Sequence, residues 1–135
     1  MKDTLTPEDR SAMVAYRIDR ALQTLEEAQY NADGGYFNTA VNRLYYACFY
    51  AASALLLKYH HECNSHAGVK TQFSLHFIQT ELLGRKHGST LRQLYDSRQS
   101  GDYADFNYCD LATYEDYKTK ATDFVTAIKS FIAAE

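Results

Sequence analysis

Apolar residues recur at intervals of three and four over most of the 135-residue chain, the period of one face of an α-helix. Val14, Ile18, Ala21, Leu25 and Ala28 form the first such stripe. Ahead of it stands Thr6-Pro7-Glu8-Asp9, which reads as an N-cap, a proline suited to the first helical turn, and acids placed at the positive end of the helix. The pattern predicts a first helix from about Pro7 to about Asp33, stopped by Gly34-Gly35. The second stripe, Phe37, Val41, Leu44, Cys48, Ala51 and Leu55, lies in a segment from about Tyr36 to about His60, with Ala40, Ala47 and Ala54 on another face. A helix apolar nearly all round is one surrounded by neighbours, so this segment is expected at the centre, its alanines allowing close approach.

After a polar loop, His61 to Gly68, the residues Phe73, Leu75, Phe77, Ile78 and Leu82 suggest a third helix, ended by Gly84-Arg85-Lys86-His87-Gly88. Ser89 or Thr90 would cap a fourth, with Leu91, Leu94 and Tyr95 inward and Arg98 and Asp102 continuing that face. Tyr103 to Cys109 reads as a linker. Asp110 or Thr113 would cap a last helix carrying Tyr114, Tyr117, Ala121, Phe124, Ile128 and Phe131. No segment alternates polar with apolar for long enough to suggest a strand. The expected fold is therefore all-α, an up-and-down bundle of about five helices in a single domain, residues 1–135.

Composition adds limits. A domain of this length buries roughly two-thirds of the surface its unfolded chain exposes, so a core can form without staples. Cys48, Cys63 and Cys109 are widely spaced and form no C-x-x-C pair, which argues for a reducing, cytoplasmic setting over a disulfide framework. The N-terminus carries acids where a secretory signal would be apolar, and ACFYAASALLL falls well short of the about 20 apolar residues that span a bilayer; no membrane association is expected. A net charge of −3 supplies no global field for unselective nucleic-acid binding, so any such contact must be local. Twelve tyrosines and no tryptophan bring large rings whose hydroxyls need partners.

Three constellations carry candidate chemistry. Arg43 is a guanidinium in an otherwise apolar segment beside Tyr45 and Tyr46; it must meet a carboxylate, a carbonyl or a ligand phosphate, or reach solvent at the bundle's edge. Arg98, Asp102 and Tyr103 combine a donor fork suited to phosphate, an acid one turn on that could orient it, and a phenol able to bond or stack on a nucleotide. The alternative for that pair is an ordinary surface ion pair. His60-His61-x-Cys63-x-x-His66 has metal-ligand residue types, but adjacent histidines point about 100° apart on a helix, and no metal or other cofactor is expected. Phosphate-binding loops, dinucleotide fingerprints, H-E-x-x-H and G-x-S-x-G are missing from the sequence.

The ordered segments AVNRLYYACFYAASALLL, NSHAGVKTQFSLHFIQTELL, LRQLYDSRQSGDYADF and ATDFVTAIKSFI together resemble the HEPN family over nearly the whole chain. Tyr45-Tyr46 after Arg43, His66-x-Gly68-Val69, and Arg98 followed by Asp102-Tyr103 carry the likeness. The resemblance implies a helical bundle, commonly a homodimer, paired with a small nucleotidyltransferase and often forming a toxin-antitoxin module. It also implies, for many members, metal-independent ribonuclease activity by an arginine and a histidine separated by four to six residues. This chain departs from that motif: the positions reached from Arg98 are Tyr103, Ala104 and Asp105, and no histidine stands at that separation from Arg43, Arg85 or Arg92.

The preferred reading is therefore a nucleotide- or RNA-binding module using Arg43, Tyr46, His66, Arg98, Asp102 and Tyr103. Its alternatives are an endoribonuclease with a displaced histidine, His66 or His87, acting with Arg98 and Asp102, and a ligand-free dimerisation scaffold. By the resemblance, Tyr103 is also the candidate for nucleotide attachment by the partner transferase.

Overall fold

The computed structural model describes residues 5–103 and 109–134, with side chains described for 5–97 and 109–134. Its helices are α1 (Pro7–Asp33), α2 (Phe37–Lys58), α3 (His66–Phe73), α4 (Arg85–Tyr103) and α5 (Leu111–Ala133), with a π-helical turn, Ser74–Ile78, directly after α3. No strand occurs among the described residues.

The caps expected for the first and last helices are in place. Thr6 accepts a hydrogen bond from the Asp9 amide at 3.0 Å and Asp110 one from the Thr113 amide at 2.9 Å, each satisfying an amide that the helix itself leaves unpaired. That bond also lowers the Asp110 carboxyl below its ordinary range. At the end of α1 the chain reverses through Gly35, whose φ of 84° favours a residue without a Cβ. The Tyr36 amide then donates to the Asn31 carbonyl at 2.9 Å, and α2 returns antiparallel to α1.

α2 is the central helix. Ala40, Ala47, Ala51, Ala54 and Leu55 are wholly buried, and α1, α3, α4 and α5 all pack against it. Its C-terminus is a Schellman turn, in which the His61 amide donates to the Leu56 carbonyl at 2.8 Å and His60 takes the left-handed position with φ 64°. α5 runs beside α2 in the same direction, because Tyr114 in its first turn meets Phe37 and Phe131 near its end meets Tyr59. α4 runs the opposite way. The principal helices α1, α2, α4 and α5 therefore go up, down, up and down around a core of Leu44, Leu55, Phe73, Leu94, Phe124 and Ile128, each such side chain contributing about 1.5–3 kcal/mol through burial.

The middle of the chain departs from the sequence expectation. α3 begins at His66, inside the segment assigned to a loop, because Ser65 caps it by accepting from the Gly68 amide at 2.9 Å. The residues expected to end the third helix instead open α4, which starts at Arg85 rather than at a Ser89 or Thr90 cap. Gly88 lies within α4 for a packing reason: a Cβ there would come within 3.2 Å of Ile78. The π turn adds a residue to one helical revolution, its Gln79 amide donating to the Ser74 carbonyl at 2.8 Å. Of the apolar residues that suggested a third helix, Phe73 and Phe77 are buried while Leu75 and Leu82 are exposed.

Candidate functional site

The Tyr45-Tyr46 pair, one residue beyond Leu44 on α2, has its two rings divided between the core and the surface. Tyr45 is 1% exposed, while Tyr46 is half-buried. Phe49, one turn further along, extends this face. Against it α3 lays His66, whose ring stacks on Phe49 at a centroid distance of 4.2 Å and whose Nδ1 shares a 2.7 Å hydrogen bond with the Tyr45 hydroxyl. Tyr46 meets His66 edge to face at 5.6 Å. Tyr95 of α4 closes the group, 6.1 Å from Tyr45. Three helices thus contribute to one wall of aromatic rings.

Cations border that wall. The Arg43 guanidinium carbon is 4.8 Å from the centre of the Tyr46 ring, and the Lys70 ammonium is 4.4 Å from that of Tyr95, both within the range of cation–π attraction. Arg43 also bonds Asn42 at 3.2 Å and lies 3.7 Å from a carboxylate oxygen of Glu27. Its side chain remains 28% exposed and that of Glu27 45% exposed. At such exposure an ion pair is worth well under about 1 kcal/mol, so an incoming phosphate can compete for the guanidinium. Of the two sequence readings of Arg43, internal pair and ligand contact, the first is present in a weak surface form that leaves the second open.

The sequence-chosen residues divide into groups. Arg43, Tyr46 and His66 are brought together. Arg98, Asp102 and Tyr103 follow Tyr95 along the backbone of α4, and their side chains lie outside the described residues. His87, the other histidine weighed for a displaced role, is 5% exposed and meets Phe124 edge to face at 5.9 Å; burial is the main cause holding its pKa down. His61 stacks on His76 with centroids 3.7 Å apart, and desolvation together with the neighbouring imidazoles holds its pKa down. Among the described residues no group of His, Cys, Asp and Glu is arranged to hold a metal ion, and Cys48, Cys63 and Cys109 are all free thiols.

Sequence reasoning passed over Tyr45, Phe49, Lys70 and Tyr95 as site residues. The signal was available in spacing: Tyr45 with Phe49, and His66 with Lys70, stand at i,i+4 and so share a helix face. It also missed Arg10, a buried arginine at 7% exposure on α1. Its Nη1 donates to the Leu57 carbonyl at 2.6 Å and lies 3.4 Å from Glu62. Arg10 stands four residues before Val14, in register with the first apolar stripe, and that register marked it as inward.

The HEPN domain family matches residues 14–134. A UPF0332 protein from Thermotoga maritima is 30% identical over 124 residues, covering 92% of this chain and 94% of the relative. A UPF0332 protein from Gloeobacter violaceus is 33% identical over 133 residues, covering 96% and 99% respectively. A protein of Methanocaldococcus jannaschii named as a candidate toxin is 33% identical over 86 residues, 64% of this chain and 58% of the relative.

Proposed function

The chain belongs to the HEPN family, and from that premise we propose that it is a nucleotide- or RNA-binding module, the whole of residues 1–135 forming one such domain. The observation that carries the reading is the wall itself: aromatic faces from α2, α3 and α4 bordered by Arg43 and Lys70 at cation–π distance. Rings next to partly exposed cations suit a ligand that offers a flat base and a phosphate together. Arg98, Asp102 and Tyr103, further along the helix that supplies Tyr95, extend the proposed site, with Arg98 as a phosphate fork and Tyr103 as a stacking or modifiable phenol.

In this reading the protein acts as a cytoplasmic homodimer with a small nucleotidyltransferase partner, in a toxin-antitoxin type of system. The toxin names carried by two Methanocaldococcus jannaschii relatives support the toxin side. The test is equilibrium binding of a short single-stranded oligoribonucleotide to the wild type and to Tyr46→Ala. Stacking on one aromatic ring is worth about 1–3 kcal/mol per base, so Tyr46→Ala should weaken binding about fivefold or more, and an unchanged affinity would remove the wall from the reading.

One observation favours a second reading. His66 sits in the wall as an imidazole oriented by the Tyr45 hydroxyl, and a positioned imidazole is the usual proton-transfer group near neutral pH. An endoribonuclease built on it would cleave RNA in the presence of chelator and lose that activity in His66→Ala and Arg98→Ala. RNA left intact by the wild type under those conditions would sink this alternative.

A further inference from the structure

We propose that the groove between α3, the π turn and the first turns of α4 is a second binding site, for a nucleoside phosphate. The groove encloses about 670 Å³. Lys70, Arg85 and Arg92 stand on its walls, and Arg85 and Arg92 are exposed, with no ion pair or hydrogen bond among the described residues. Lys86, next to Arg85, is instead paired to Asp123 on α5 at 2.9 Å, in a solvent-exposed ion pair. Arg85 and Arg92 are seven residues apart and so share one helix face.

The rest of the lining matches the remainder of such a ligand. Half-buried Ile78 supplies an accessible apolar surface for a base, with the buried Phe73 and Leu91 behind it in the groove wall, while Thr71, Ser74 and Ser89 supply hydroxyls. The close approach of α4 to the π turn, where Gly88 faces Ile78, shapes the groove between them. Glu81 also lines it, held at a φ of 63°. Its carboxylate repels a bare phosphate but accepts from a ribose hydroxyl or a base amino group, which favours a nucleoside phosphate over inorganic phosphate. Lys70 lines the groove and also lies over Tyr95, so the two sites meet there. The ligand is accordingly either a free nucleotide or a nucleotide unit of a strand that also crosses the aromatic wall.

The experiment measures affinity for 5′-AMP and for a short oligoribonucleotide in the wild type, in the double variant Arg85→Gln/Arg92→Gln, and in Arg43→Gln. Losing charge-assisted hydrogen bonds to phosphate should weaken binding about tenfold or more in the double variant, with an unchanged melting temperature because both side chains are exposed. Weakened AMP binding identifies a free nucleotide as the ligand; weakening confined to the oligomer identifies a unit of a strand; either supports the groove. Wild-type binding of neither probe, or full affinity for both in the double variant, overturns it. A loss seen only in Arg43→Gln would leave the wall standing and remove the groove.

Discussion

Arg10 and Arg43 belong to the same helical hairpin, one on each arm, and the fold treats them in opposite ways. Arg10 is sealed beneath the end of α2, its guanidinium given to the Leu57 carbonyl and to Glu62. Arg43 lies at the other end of α2, partly exposed over a tyrosine ring, bonded to Asn42 and paired with a solvated glutamate. A buried cation whose donors are spent on protein acceptors ties two helices together and has little to offer a ligand. A half-exposed one, held in place by a ring, keeps donors that phosphate can take. The difference lies in partners and exposure, which is why residue type alone cannot separate a structural arginine from a binding one.

Mutations can sharpen that contrast. Arg10→Ala should produce the largest effect, a loss of about 2–3 kcal/mol in denaturant unfolding, because the Leu57 carbonyl loses its donor and a cavity opens under α2; ligand affinity should be unchanged. Tyr45→Phe should cost about 1–2 kcal/mol by removing the hydroxyl bonded to His66. Its ring packing survives, so a loss much larger than this would mean that the phenol anchors α3 by more than that bond. Arg43→Gln should shift stability by less than about 1 kcal/mol, and a cost equal to that of Arg10→Ala would erase the contrast.

The smallest expected effect is on the pH dependence of the melting temperature. His61 and His87 are held below their ordinary pKa in the fold, so as pH falls through about 6.5 the unfolded chain takes up protons first. Stability should be full above that pH and decline below it, and less steeply in His61→Gln. Equal slopes in the two proteins would show that His61 does not contribute to this dependence.

What could be read from the sequence follows the same division between local and tertiary causes. α1 and α5 were legible because their caps, Thr6 and Asp110, and their stripes act within a few residues of each other. α2 was legible because a helix apolar on every face has only one stable place in a bundle. The α3–α4 region was not, since Gly88 serves the approach of Ile78 rather than ending a helix, and the π turn shifts the register in a way no spacing announces. At the site, Arg43 and Tyr46 were found because a charge beside paired rings stands out in an apolar run, and His66 through the family likeness of His66-x-Gly68-Val69. Tyr95 and Lys70 were not, because only the packing of α3 and α4 onto α2 places a cation over that ring.

The most direct test sets the two arginines side by side. Oligoribonucleotide affinity and unfolding free energy would be measured together in Arg10→Gln and Arg43→Gln. The account predicts that Arg43→Gln loses about tenfold in affinity at near wild-type stability, whereas Arg10→Gln loses stability and keeps its affinity. Wild-type affinity in Arg43→Gln, together with a loss of fold stability as large as that of Arg10→Gln, would contradict it.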